Sequence, residues 1–297
     1  MKHRFQIFAL PLVSLLLASV SCATETDAPD FDSIRSELAE PATVILKNGR
    51  RLHGHPMDVA GEQLRLGTAE GAGEVIYTLR FDEIRELRLP GESYKTVAME
   101  WIQENRTDDA LRLFALLFEQ RSSLLPLLDA AESHFFIHYL RLVLRSGNPA
   151  RAIAITERLK PQIDNPAAVR ALDDAVLEAY TRLELHDEAR PLAEAWVAER
   201  KPYGDSALGY YVLAAARLRA EQPREALETA LRPVVFSAGL PMDYLPHCYA
   251  AAIGAALELR ERDYARTLFE EMYARQLPWP DDPQFESYPE ALNPNTK

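Results

Sequence analysis

The spacing of hydrophobic positions changes from a strand-like to a helix-like period close to residue 92. Before that point, between Ala42 and Pro90, apolar and polar residues alternate with a period of two, which is typical of strands that bury one face. After it, apolar residues recur every three or four positions, which indicates one buried face of a helix. One such stripe consists of Val169, Leu172, Val176, Tyr180 and Leu183. The pattern predicts a mostly α chain with a small β module at 41–91 and helices at 92–278.

The β region is divided by turn residues into about five short strands. Asn48 and Gly49 stand between two apolar runs, which is the strongest short-range signal for a hairpin. Further turns are expected at Gly61 and around Gly71 and Gly73. So many strands in fifty residues favour a strongly bent sheet or a small barrel. This order of strands and glycine turns resembles the SH3-like or Sm-like small barrels of exported bacterial proteins. The resemblance implies a module that binds a peptide or packs against its neighbour.

The helical region contains a repeated unit. A short polar turn recurs five times, and each turn is followed by an alanine that opens a second helix, at Ala110, Ala152, Ala189, Ala226 and Ala265. The spacings are 42, 37, 37 and 39 residues. Seven positions after each alanine lies Leu117, Leu159, Trp196, Pro233 or Met272. We expect the small residue to mark a close helix crossing and the larger residue to fill the space beside it.

This register resembles the tetratricopeptide repeat (TPR), although the family's period is 34 residues and the units here are longer. The resemblance implies a right-handed superhelix of about five antiparallel helix pairs, in which neighbouring pairs share their core. It also implies a groove lined by the first helix of each pair. Candidate groove residues are Arg141, Tyr180, Tyr210 and Arg217.

The function implied by this resemblance is a protein- or peptide-binding scaffold that is not an enzyme and uses no cofactor. A second hypothesis is a metal-dependent enzyme that uses His134 and His138, which share a helix face at positions i and i+4. Phe135 stands where zinc proteases have a catalytic glutamate, and no third ligand is close in sequence, so ordinary packing histidines are favoured. A third hypothesis is a structural envelope component without a groove ligand.

Residues 1–22 have the pattern of a signal peptide: Lys2 and Arg4, then an apolar stretch, then small residues. Cleavage in the manner of a bacterial lipoprotein would make Cys22 the acylated first residue, although Ser19 replaces the usual leucine of that motif. Cleavage before Thr24 is the alternative. The lipoprotein is favoured, with 23–40 as a linker. The expected location is therefore the periplasm or the outer membrane, with membrane contact only through the lipid.

Charge and cysteine content narrow the range of partners. The formal charge is -12, and there is no lysine-rich run, so the chain would repel a phosphate backbone and nucleic acid is not an expected partner. Cys22 and Cys248 are the two cysteines, which excludes a disulfide framework, and Cys248 is expected to be a buried apolar residue. The proline-rich tail at 279–297 carries Trp279 and Phe285, which we expect to dock on the last helix pair.

Overall fold

The computed structural model describes residues 29–70, 73–202, 204–237 and 242–292, where an antiparallel sheet precedes five consecutive helix pairs. The strands are β1 Ala42–Leu46, β2 Arg51–Ala60, β3 Gln63–Glu70, β4 Gly73–Arg80 and β5 Ile84–Arg88. The pairs are α2 Ser93–Gln103 with α3 Thr107–Arg121, α4 Ala130–Arg145 with α5 Pro149–Leu159, α6 Pro166–Arg182 with α7 His186–Glu199, α8 Leu208–Arg219 with α9 Pro223–Phe236, and α10 Leu245–Glu258 with α11 Arg262–Ala274. Helix α1, Phe31–Leu38, comes before the sheet, and the one-turn helix α12, Tyr288–Ala291, ends the described chain. Among the described residues, no helix combines the length and the apolarity that crossing a bilayer requires.

The sheet is bent at its long strand β2. The strand order is β4-β3-β2-β1-β5, and β2 pairs with β1 through its first half and with β3 through its second half. Gly54 lies where the pairing changes, and a Cβ atom there would lie only 2.4 Å from the carbonyl oxygen of Gly67. The backbones approach so closely that only glycine fits without a shift. The hairpin predicted at Asn48 and Gly49 joins β1 to β2.

The five helix pairs share one turn geometry. The residue two positions after the end of each first helix has a positive φ; these residues are Asn105, Gly147, Glu184, Glu221 and Arg260. The next residue donates its N–H back into the helix, as Leu185 does to the Tyr180 carbonyl at 2.9 Å. Four positions later the repeated alanine donates to that same residue, as Ala189 does to Leu185. This C-terminal cap therefore leads directly into the second helix of each pair.

The repeated positions pack as their spacing predicts. All five alanines are at most 1% exposed, at positions 110, 152, 189, 226 and 265. The five larger residues that follow them are also buried, including Pro233 within α9. Successive first helices contact one another, α4 with α6, α6 with α8, and α8 with α10. The cores therefore extend from one pair into the next.

Part of the range predicted to be a linker, 23–40, is a docked helix. Helix α1 begins after Asp30, whose carboxylate accepts the N–H groups of Asp32 and Ser33 at 3.1 Å. Its apolar face, formed by Phe31, Ile34 and Leu38, is buried in the core of the first helix pairs. An N-cap residue followed by apolar residues at helical spacing explains why this part of the chain is a helix and not an open linker.

The sheet and the C-terminal segment both pack on the helices. Leu124, in the 3-10 segment after α3, is 3% exposed and belongs to the core of the sheet. At the other end, Phe285 is fully buried and the tail contacts α10 through α12. The tail thus docks on the last helix pair, as its aromatic residues predict.

Candidate functional site

The main cavity is a groove of about 1220 Å³. Its walls come from four first helices, α4, α6, α8 and α10, together with the connections that precede α8 and α10 and the tail residues 281–284. No residue of α5, α9 or α11 lines it, and α7 contributes only its first residue, His186. The groove therefore lies on the first-helix side of the repeat, where the TPR resemblance places it.

Three aromatic rings in mutual contact form the floor between α8 and α10. Tyr211 and Tyr244 lie almost parallel, with ring centroids 6.0 Å apart, and the His247 ring lies 4.8 Å from Tyr211. The Tyr211 hydroxyl donates to Asp282 Oδ2 at 2.5 Å, which fixes the tail against the floor. Burial and the Asp282 carboxylate both raise the pKa of Tyr211, so this phenol stays protonated.

The connections before α8 and α10 are joined to each other by backbone hydrogen bonds. Asp243 donates its N–H to the Asp205 carbonyl at 2.8 Å, and Ala207 donates to the Asp243 carbonyl at 2.8 Å. The two aspartates are thereby brought side by side at the edge of the groove, with both residues exposed. This side of the groove is acidic.

The acidic residues of α6 are neutralised within the chain. Glu178 pairs with Arg182 at 2.6 Å. Asp174 accepts the indole N–H of Trp196 at 2.8 Å and pairs with Arg200 at 2.7 Å. Helix α6 therefore presents little net charge to the groove.

Helix α4 forms the cationic wall. Arg141 and Arg145 both line the cavity and are exposed. Neither forms an ion pair with any residue in the described ranges. These guanidinium groups are available to a ligand.

Of the four groove residues suggested by the sequence, Arg141 alone lines the cavity. Tyr180 is half-buried and packs against the core that surrounds α8 and α10. Tyr210 is only 2% exposed, its ring packs edge-on against Trp196, and so the expectation of an exposed Tyr210 is wrong. Arg217 is also turned away from the groove, because it donates to the Glu225 carbonyl at 3.1 Å and to the Thr229 hydroxyl.

The reason for these two differences is the composition of α8. Residues 208–215 of this helix are all buried, so no polar face marks its orientation in the sequence. One residue corresponds to a rotation of about 100° around the helix axis. Tyr211 and Arg219, rather than Tyr210 and Arg217, therefore face the groove.

The histidine pair does not assemble a metal site among the residues that the structure describes. His134 and His138 lie exposed on one face of α4, and no third imidazole, thiol or carboxylate joins them there. Burial, Arg141 and His134 lower the pKa of His138. The metal-enzyme hypothesis is not favoured. Cys248 is fully buried and its thiol pKa is raised by burial, as expected for a packing residue, whereas Cys22 lies outside the described residues.

Neither a family model nor a curated protein matches this sequence. Among solved structures, the chain is similar to the nearly identical TPR-like repeats of a putative kinesin light chain from Podosopora anserina. The identity is 18%, the match covers 62% of this chain and 93% of that chain, and the TM-score is 0.46. It is also similar to MamA from Desulfovibrio magneticus RS-1, with 14% identity, the same two coverages and a TM-score of 0.47. Similarities at this level do not decide a function, and the description of the chain as a helical repeat rests on its own internal spacing.

Proposed function

We propose that this chain is a scaffold without catalytic activity, which binds a protein or peptide partner in the groove of a TPR-like, right-handed superhelix. The observation that supports this most directly is the cavity itself, since its walls come from four successive first helices. A ligand that contacts all of them must be elongated. The volume of about 1220 Å³ also exceeds the roughly 300–1,000 Å³ that is typical of small-molecule sites.

The lining of the groove suits a polypeptide. It combines stacked aromatic rings, exposed charges of both signs and few large aliphatic side chains. Aromatic residues and arginines supply much of the binding energy at protein interfaces. The fixed tail closes one side, so the groove is already formed without a ligand.

We propose that the β module is an SH3-like small barrel whose task is to position the helices. Its topology supports this, because β1 pairs with both β2 and β5 and a 3-10 turn, Phe81–Glu83, precedes β5. Leu124 after α3 fills its core. That contact favours packing over peptide binding for this module.

We also propose that the protein is exported to the bacterial envelope and is anchored there by a lipid on Cys22. Fractionation of cells that express wild-type protein or Cys22→Ser tests this part. Recovery of the wild type in membranes and of the variant in the soluble envelope fraction is expected. Equal recovery of both in the soluble fraction would rule out the anchor.

Peptide selection with a groove-blocked variant tests the main proposal. Peptides are selected from a random library on the purified protein, and their affinity is then measured for Thr181→Trp, which puts an indole into the groove, and for Glu188→Trp. Glu188 is exposed on α7 and serves as the matched control. Binding should be lost in the first variant only. Selected peptides that bind all three proteins equally would overturn the proposal.

A further inference from the structure

Four exposed residues of α4, two arginines and two histidines, form a stripe whose positive charge comes from the arginines. We call these residues the α4 stripe. They occur at positions i, i+4, i+7 and i+11 of the helix, and they are His134, His138, Arg141 and Arg145. No acidic side chain pairs with any of them within the described part of the chain. The guanidinium groups of Arg141 and Arg145, four positions apart on one helix face, repel each other. A contribution to folding stability therefore does not explain why these residues lie together on one face of α4.

The stripe also contrasts with the rest of the molecule, whose formal charge is -12. The acids of α6, which packs beside α4, are engaged by Arg182 and Arg200. Asp205 and Asp243 lie in the connections that precede α8 and α10. The other exposed acids that line the cavity are Glu184, in the turn after α6, and Asp281, in the tail.

We infer that the α4 stripe binds an acidic polypeptide segment, whose carboxylates lie along the helix as the segment enters the groove. This inference rests on the proposed function. Arginine binds carboxylates through paired, charge-assisted hydrogen bonds, and Arg141 and Arg145 are free to form them. Eleven helical residues span about 16 Å, which corresponds to about five residues of extended chain.

The location of the two arginines favours a polypeptide over an anionic membrane. Arg141 and Arg145 line a concave cavity that is also bordered by α8, α10 and the tail. A flat bilayer surface cannot follow them there, whereas an extended chain can.

The test uses fluorescein-labelled hexaglutamate, with hexalysine as the reversed-charge probe, and measures fluorescence anisotropy at low and moderate salt. Wild-type protein should bind hexaglutamate, with weaker binding as salt increases, whereas any binding of hexalysine to the acidic surface should not depend on Arg141 and Arg145. Arg141→Gln/Arg145→Gln should weaken binding about tenfold or more. The control variant Arg224→Gln/Arg232→Gln removes the same charge from exposed positions on α9. It should change the affinity for hexaglutamate by less than about twofold.

Loss of the two arginines is not expected to affect folding, and circular dichroism verifies this. The variant Arg141→Lys/Arg145→Lys keeps the charge and should retain most of the hexaglutamate binding. The inference is overturned if hexaglutamate does not bind or if the α4 and α9 variants lose binding equally. Vesicles of phosphatidylglycerol and phosphatidylcholine form the third arm. Arginine-dependent vesicle binding without hexaglutamate binding would assign the stripe to membranes. If groove-dependent peptides are selected but show no acidic preference, the proposed function stands and this inference alone fails.

Discussion

Arg121 and Glu132 form a buried ion pair between the end of α3 and the start of α4. Arg121 Nη1 lies 2.8 Å from Glu132 Oε1, and the two side chains are 1% and 4% exposed. Lys95 on α2 donates to the same oxygen at 2.7 Å, and Arg121 Nη2 donates to the Pro90 carbonyl at 3.3 Å. The pair thus ties the first three helices of the repeat to the segment that leaves the sheet.

We expect Arg121→Ala to lower the free energy of unfolding by about 3 kcal/mol, because it leaves Glu132 buried with only Lys95 to compensate its charge. Urea unfolding measures the loss. Arg190→Ala removes an exposed partner of Glu194 and should cost less than about 1 kcal/mol. Arg121→Met/Glu132→Leu should recover much of the stability, since neither charge then remains buried. Equal losses of stability in Arg121→Ala and Arg190→Ala would show that the Arg121–Glu132 pair is not buried in solution.

The repeated alanine gives a second prediction. Ala189 is 1% exposed where α7 meets its neighbours, so Ala189→Leu adds three carbon atoms to a full space. We expect a loss of about 2 kcal/mol, measured by urea unfolding. Ala195→Leu on the exposed face of the same helix should change stability by less than about 0.5 kcal/mol. A tolerated leucine at 189 would mean that the repeat register is wrong.

The sequence reveals the repeat because its physical constraints are local. A close helix crossing admits only a small residue, so the alanines remain visible at their spacings, and the strands are visible through their alternation. The left-handed residues after the first helices are harder to recognise. Gly147 and Asn105 are usual at such positions, whereas Glu184, Glu221 and Arg260 carry no such signal.

The groove was less predictable, because its walls depend on contacts between distant residues. Tyr211 and Asp282 are 71 positions apart, and nothing in the local pattern of either indicates that they meet. Because α8 is apolar on all sides over residues 208–215, its sequence also did not indicate that Tyr211, and not Tyr210, faces the groove. Arg141 could be identified because α4 has a clear polar face.

His247 gives a prediction for pH dependence. Burial lowers the pKa of this imidazole, and Asp282 opposes the shift only in part. The folded state therefore binds a proton less readily than the unfolded chain, whose histidines titrate near about 6.5. The stability that follows from this difference is present above that pH and is lost as the pH falls below it.

We expect the free energy of unfolding to decrease between about pH 7.5 and 5.5, and to decrease less in His247→Phe, which keeps a ring in contact with Tyr211 and Tyr244. Urea unfolding at several pH values measures the difference. His138 and His186, whose pKa values are also lowered by burial, account for part of the remaining slope. An NMR titration provides the direct check, and a midpoint for His247 at or above about 6.5 would contradict the prediction.

The docking of the tail depends on Gly254 in the middle of α10. A Cβ atom at this position would lie 2.3 Å from the Cε2 atom of Tyr288, so the ring occupies the space that a side chain would fill. We expect Gly254→Ala to displace the ring and to lower stability by about 1–3 kcal/mol. Proteolysis of the tail should become faster as well.

The sign of this effect should reverse when the ring is removed. In Tyr288→Ala the space is empty, and alanine then stabilises the helix interior by up to about 1 kcal/mol relative to glycine. Urea unfolding of the wild type, the two single variants and the double variant gives the coupling between the sites. An equal cost of Gly254→Ala in the presence and absence of the Tyr288 ring would mean that the tail does not lie on α10. The groove would then lack the wall that Asp282 provides.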